Sequence, residues 1–175
     1  MSAPRPAAEP QLVVFGGGRM GEALVSGLLR AGETRPDRVV IIETHEGRRA
    51  ELTDGLAARF AGLAVTADLA AVDPGAGILL AVKPQDAPTV CERAATLYPR
   101  RLLSIAAGVT VGQLEGWLGE HGGGGIAVLR AMPNTPALVG AGASAVAAGT
   151  RAGDQDLAWA HRLLGAVGTV ATGPE

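Results

Sequence analysis

The sequence predicts an α/β fold: a doubly wound, mostly parallel sheet with helices on both faces. Three observations predict it. Short apolar runs alternate with segments of helical spacing along nearly the whole chain, the pattern that right-handed strand–helix–strand crossovers produce. A glycine cluster, Gly16-Gly17-Gly18-Arg19-Met20-Gly21, follows the first apolar run directly. The core residues on offer are aliphatic, since 47% of the 175 residues are hydrophobic but only 3% aromatic, and Ala, Val, Leu and Ile suit parallel strands buried on both faces.

Leu12-Val13-Val14-Phe15 reads as a buried strand that ends in glycine. Arg19 to Ala31 places Met20, Ala23, Leu24, Leu28 and Ala31 at helical spacing and stops at Gly32. Val39 to Ile42 predicts a second strand, followed by a helix from about Arg48 to Phe60 and a brief strand over Leu63 to Thr66. Asp68 caps a short helix that ends before Asp73-Pro74-Gly75. Ile78 to Val82 is the most apolar strand and stops at Lys83-Pro84. A helix over about Asp86 to Leu97, a strand over Leu102 to Ala106 and a helix capped by Thr110 come next. After the glycine loop His121 to Gly125, strands are expected at Ile126 to Arg130 and Ala143 to Ala148, a helix at Asp154 to Leu164 and a last short strand at Thr169 to Ala171.

Composition narrows the classes of function. A net charge of −2 supplies no electrostatic footprint for nucleic acid. Cys91 is the single cysteine, so no internal disulfide forms, and a reducing, cytoplasmic setting is expected. No apolar run approaches the roughly 18 residues of a membrane span. Met1 to Pro10 holds three prolines and no apolar stretch, so residues 1–10 are expected to be a disordered tail and 11–175 the folded domain. No histidines and cysteines share metal-ligand spacing, and no nucleophile motif occurs. Cys91 lies on a helix beside Glu92 without a base partner, which favours an inert buried thiol.

In Gly16-x-Gly18-x-x-Gly21 the first glycine permits the tight strand-to-helix turn, the second lets backbone N–H groups approach a pyrophosphate, and the third lets helix and strand pack closely. With 26 glycines in the chain the bare pattern could be a structural turn. Its position between a strand and a helix is what marks a dinucleotide loop, the Rossmann arrangement, with the helix dipole aimed at phosphate. Glu43 ends the second strand 22 residues after Gly21, where an acidic side chain accepts from ribose hydroxyls and favours NAD(H). Thr44, His45, Arg48 and Arg49 lie beside it and offer the opposite choice, a 2′-phosphate site. The residues alone leave the cofactor open between NADP(H) and NAD(H).

The other unusual segments all follow strands, and ligands of open parallel sheets lie beyond the strands' carboxyl ends. Lys83, the one lysine among 15 basic residues, could reach a ribose or phosphate oxygen. Small residues at Ala106 to Gly108 would let the chain pass near a nicotinamide. Asn134 sits in a stiff loop between Pro133 and Pro136 with its amide available to a ligand, or else bonds its own backbone as a turn residue. Met20 and Met132 are expected to be packing residues.

Phe15 to Leu24, Ala81-Val82-Lys83-Pro84-Gln85, Ser104 to Val109 and Arg130-Ala131-Met132-Pro133-Asn134-Thr135-Pro136-Ala137 together resemble the pyrroline-5-carboxylate reductase family, in its order and spacing. The Val-Lys-Pro and Met-Pro-Asn-Thr-Pro segments are far more specific than the glycine loop. The resemblance implies NADPH- or NADH-dependent reduction of the C=N bond of 1-pyrroline-5-carboxylate to L-proline, the last step of proline biosynthesis. It further implies that Gly16, Gly17, Gly18, Arg19, Met20 and Gly21 hold the pyrophosphate, and that Glu43 and Thr44 lie at the adenosine ribose. Ala81, Val82, Lys83 and Pro84, with Ile105, Ala106 and Ala107, should line the ribose and nicotinamide, and Met132, Pro133 and Asn134 should border the meeting point of cofactor and substrate. No catalytic residue is assigned. Glu43 departs from the small polar residue of many members, and Asp68 from an asparagine. The family continues into a helical domain that forms its dimer and holds the substrate carboxylate. The chain ends at Glu175, before such a part, and is therefore expected to bind the dinucleotide but to turn over the imine poorly. A non-catalytic NAD(P)-binding module, or another reductase sharing this N-terminal domain, such as one using a deazaflavin, are the alternatives.

Overall fold

The computed structural model describes residues 11–175; the tail expected at residues 1–10 lies outside them. One sheet carries β1 (Leu12–Phe15), β2 (Val39–Ile42), β3 (Ala64–Thr66), β4 (Gly77–Leu80), β5 (Arg101–Ser104), β6 (Ala127–Pro133), β7 (Gly142–Ala148) and β8 (Gly168–Thr172). Their spatial order is β3-β2-β1-β4-β5-β6-β7-β8. The helices are α1 (Arg19–Ala31), α2 (Glu46–Leu52), α3 (Ala87–Ala95), α4 (Val111–Glu120) and α5 (Asp154–Gly165). The Rossmann-like architecture read from the sequence is the one observed.

Because successive strand residues point to opposite faces, the aliphatic runs feed two buried layers. Val14, Ile41, Leu79, Leu103 and Leu129 face one layer, shared with Leu24 and Leu28 of α1, Leu52 of α2 and Leu164 of α5. Phe15, Ile42, Ile78, Leu80, Leu102 and Val128 face the other, with Val90 and Cys91 of α3 and Leu114 and Leu118 of α4. The register places Val14 between Ile41 and Leu79, then Leu79 beside Leu103 and Leu103 beside Leu129. An unbroken aliphatic row thus crosses five strands, and each such side chain contributes about 1.5–3 kcal/mol on burial.

Several boundaries follow directly from local chemistry. α1 closes at Gly32, which adopts φ 70° and donates to Leu28 and Leu29 carbonyls, a conformation open to glycine. α4 opens with a reciprocal capping box between Thr110 and Gln113. Asp68 accepts from the Ala70 N–H at 2.9 Å and caps a single 3-10 turn, Leu69–Ala71.

Three elements differ from the sequence reading. α2 starts at Glu46 rather than near Arg48, since His45 is its N-cap and accepts from the Arg48 N–H; it then widens into a π-turn over Thr53–Ala57. β6 runs on to Pro133, into the segment read as a loop. β7 lies antiparallel to β6, while the other neighbours are parallel. Residues 134–141 connect the pair through a 3-10 turn at Thr135–Val139, and a parallel return needs a crossover of about a dozen residues or more.

Strand order reverses at β1: the chain proceeds to β2 and β3 on one side and to β4 on the other. The crevice beyond the carboxyl ends of β1 and β4 is therefore the place where this architecture can admit a ligand.

Cys91 is fully buried between α3 and the sheet, and desolvation pushes its thiol pKa up to about 11. Near neutral pH the native chain should therefore resist iodoacetamide, while the denatured chain is alkylated fully. Fast native labelling in an intact-mass assay would mean that α3 opens readily.

Candidate functional site

The chain leaves β1 through Gly16, whose φ of 97° is left-handed and whose N–H donates to Ile42 O at 2.9 Å. A Cβ here would stand 2.5 Å from Ala81 O at the end of β4. At Gly21 a Cβ would collide with the carbonyl of Gly16, and at Gly17 with the Leu52 side chain of α2. Gly18 is different. Its φ is an ordinary −65°, and a Cβ would meet no atom within 4 Å.

Gly18 is also the N-cap of α1 and offers no side-chain cap. The first N–H of the helix to find a carbonyl is that of Glu22, which donates to Gly18 O at 2.9 Å. The N–H groups of Arg19, Met20 and Gly21 precede it, among the donors that a helix start leaves without an internal acceptor. Free donors, positive dipole and open space beside Gly18 together fit a pyrophosphate.

The end of β2 supplies the next wall. The Glu43 carboxylate accepts from Gly17 N–H through Oε2 and from His45 N–H through Oε1, both at 2.9 Å. Arg48 spans loop and helices: Nε donates to Gly17 O at 2.7 Å, Nη2 to Glu22 at 2.6 Å and Nη1 to Glu51 at 2.9 Å. The hydrogen bond to Glu51, with Glu22 adding to it, raises the guanidinium pKa against the opposing effect of burial. Arg49 donates Nη1 to the carbonyls of Glu43 and Thr44.

Loop, β2 end and β4 end enclose a cleft of about 420 Å³. Of the residues expected from the sequence, Gly16, Gly18, Glu43, Thr44, Ala81, Val82 and Lys83 line it. So do His45 and Arg48, the candidate 2′-phosphate contacts. Gly17, Arg19, Met20, Gly21 and Pro84 adjoin it in the chain without lining it, and Met20 packs against the core. Ile105, Ala106 and Ala107, after β5, and Met132, Pro133 and Asn134, at the end of β6, lie farther along the same sheet edge and outside the cleft. Asn134 Oδ1 accepts from Ala143 N–H at 2.9 Å and so braces the β6–β7 connection. Met132, expected to pack, is 45% exposed.

Sequence reasoning missed Asp86, Val90 and Arg93. Asp86 is the N-cap of α3, and Val90 and Arg93 follow it at spacings of four and three residues, hence on one helical face; α3 is the first α-helix after β4. That spacing was the available signal. Among the described residues no three or more His, Cys, Asp or Glu side chains gather to hold a metal ion, and no helix is long and apolar enough to cross a membrane.

Comparison with known proteins follows the same lines. The family model described as NADP oxidoreductase coenzyme F420-dependent matches residues 11–108. The pyrroline-5-carboxylate reductase of Synechocystis sp. is 36% identical over 167 residues, covering 94% of this chain and 59% of its own length. That of Mycobacterium tuberculosis is 38% identical over 173 residues, covering 94% and 55%. A solved pyrroline-5-carboxylate reductase structure from Coxiella burnetii superposes with a TM-score of 0.82 at 28% identity, covering 95% of this chain and 59% of that one. The chain thus spans a little over half the length of the curated relatives it matches.

The loop geometry separates glycines that the fold needs from one it does not. Gly16→Ala should lose about 3 kcal/mol or more in denaturant melts, from backbone strain and overpacking. Gly18→Val should stay within about 1 kcal/mol of the wild type, a cost confined to the helix cap.

Proposed function

We propose that this chain, which belongs to the family of NADP oxidoreductases described as coenzyme F420-dependent, is the cofactor-holding part of a pyrroline-5-carboxylate reductase. The observation that carries the reading is the cleft at the strand-order reversal, where an uncapped helix start and the open side of Gly18 meet the ends of β2 and β4. The relatives' names support the choice of substrate: their match covers 94% of the chain and so extends well past residue 108, where the family model stops. The Met132 to Pro136 segment, read from the sequence as specific to such reductases, lies in that added stretch.

The cofactor is NADP(H) or NAD(H). When bound, the reduced dinucleotide supplies a hydride to the imine carbon. The loop from Gly16 to Gly21 holds the pyrophosphate by backbone N–H groups, and Glu43 and Thr44 flank the adenosine ribose. Ala81, Val82, Lys83 and Pro84, with Ile105, Ala106 and Ala107, line the path towards the nicotinamide. Met132, Pro133 and Asn134 border the substrate from beyond that path, with Asn134 held by Ala143. A protonated cyclic imine is already electrophilic, so the chain's task is to orient the reactants rather than to supply a strong acid or base. Residues that clamp the substrate carboxylate are not among those placed at this cleft; the family resemblance implies that they belong to the helical part that forms the family's dimer. A small soluble imine and a reduced, buried thiol suit a cytoplasmic enzyme.

Titration of the chain with NADPH and NADH, followed by an assay of their oxidation by the imine, tests the reading. Binding of at least one dinucleotide with little turnover is expected. Gly18→Val should weaken that binding at least about tenfold, the loss of roughly one charge-assisted hydrogen bond, while its melting curve stays near the wild type. Failure to bind either dinucleotide would remove the proposal, and robust turnover by the chain alone would show that the clamp lies within it.

A further inference from the structure

We propose that a second ligand site lies at the opposite edge of the sheet from the dinucleotide cleft, and that it takes a small zwitterion with an apolar body: a free amino acid of aliphatic side chain. A cavity of about 190 Å³ opens there beside the first residues of β1, β4 and β5, where Leu12, Gly77 and Arg101 stand side by side. It is smaller than the roughly 300–1,000 Å³ of a pocket for a drug-sized ligand. The inference goes beyond the reading of the cleft and does not depend on it.

Aliphatic side chains line this cavity, Leu12 of β1, Leu28 of α1 and Leu163 of α5, together with Trp159. Trp159 sits so close to Gly77 that a Cβ there would stand 2.8 Å from its Cζ2. Over the ring, 5.4 Å from its centroid, lies the Arg101 guanidinium, held by Asp156 at 3.1 Å and by Gln155 O at 3.2 Å. Arg100 and Arg162 line the same cavity. Burial lowers the Arg101 pKa, Asp156 opposes that, and Arg100 and Arg162 lower it further by repulsion. One carboxylate thus serves three neighbouring guanidiniums, and Arg162 has no side-chain partner among the described residues. An arriving carboxylate relieves that repulsion and can accept two parallel N–H bonds from one guanidinium.

The cavity also carries a charge of the other sign. Glu33 follows the Gly32 C-cap of α1 and is part of the lining, with Thr34. Its N–H is spent on Leu28 O, while its carboxylate has no hydrogen bond or ion pair among the described residues. Glu33 and the guanidiniums therefore share one cavity without pairing across it. A carboxylate ligand alone would confront Glu33, and an amine alone would confront the arginines. A zwitterion answers both: its ammonium meets Glu33 and the negative end of the α1 dipole, and its carboxylate meets Arg162 and Arg100. The aliphatic part then lies along Leu12, Leu28 and Leu163, out of water.

Titration of the chain with L-valine, followed by heteronuclear NMR, tests the inference. Saturable shifts are expected at the Trp159 indole N–H and at the backbone of Leu12, Thr34 and Gly77. Isovalerate, which lacks the ammonium, and isobutylamine, which lacks the carboxylate, should each bind at least about tenfold more weakly, the effect of one charge-assisted hydrogen bond. Glu33→Gln and Arg162→Ala remove charges without partners in the described chain, so both variants should stay folded by circular dichroism. Each should weaken L-valine by a similar factor and leave dinucleotide affinity unchanged. Absent or unsaturable shifts would overturn the inference, as would either analogue binding as tightly as L-valine, or unaltered affinity in both variants. Shifts confined to the loop from Gly16 to Gly21 would put the amino acid in the cleft and overturn it too. The dinucleotide reading stands or falls separately, on the binding of NADH and NADPH.

Discussion

The first turn of α1 rests directly on the carbonyl of Gly16, so closely that Gly21 has no room for a methyl group. This single approach sets the position of the helix relative to β1 and β4, and much else is arranged to suit it. At its far end α1 is pressed again, with Gly27 facing Val167 and Ala166, where a Cβ would stand 2.6 Å from Val167 Cγ1. Between the two glycines, Leu24 and Val25 are buried in the layer formed with α5 and the sheet, and Leu28 joins them just beyond Gly27. A helix clamped at both ends in this way has a fixed start. Its unpaired N–H groups are therefore aimed into the crevice before any ligand arrives, and less ordering has to accompany binding.

The polar side of the same region is equally determined. Arg48 links the loop, α1 and α2 through Gly17, Glu22 and Glu51, while Glu43 links the loop to the start of α2. The ion pair with Glu22 leaves about a quarter of the Arg48 side chain and a third of Glu22 exposed, so solvent screening moderates its strength. Its value is geometric: it holds the turn between β2 and α2 against the glycine loop.

Much of this was legible in the chain itself. The bounds of β1 and α1 were readable because an apolar run, a glycine loop, a 3.6-residue pattern and a terminal glycine all agree there. The cleft's floor at Gly16, Gly18, Glu43 and Ala81 to Lys83 followed from the same loop and the strand ends. What was not legible depends on distant partners. The widening of α2 over Thr53–Ala57 has no marker in its composition. The antiparallel course of β7 is settled by the short connection that Asn134 ties to Ala143, a bond between residues nine apart. The contribution of Asp86, Val90 and Arg93 emerges only when α3 is laid against the ends of β2 and β4. The segments after β5 and β6 were grouped with the cleft because they share an edge of the sheet, but a common edge does not make a common cavity.

The contrast among the loop glycines has an evolutionary consequence. Gly16 and Gly21 are constrained by the fold, through atoms of the chain's own backbone. Gly18 meets no such neighbour, so it is a ligand that can hold it as glycine. In a lineage that kept this architecture but abandoned the nucleotide, position 18 would drift first while its neighbours stayed fixed. A family tree that records substitutions at these sites therefore carries separate clocks for folding and for binding, a few residues apart on one turn of chain.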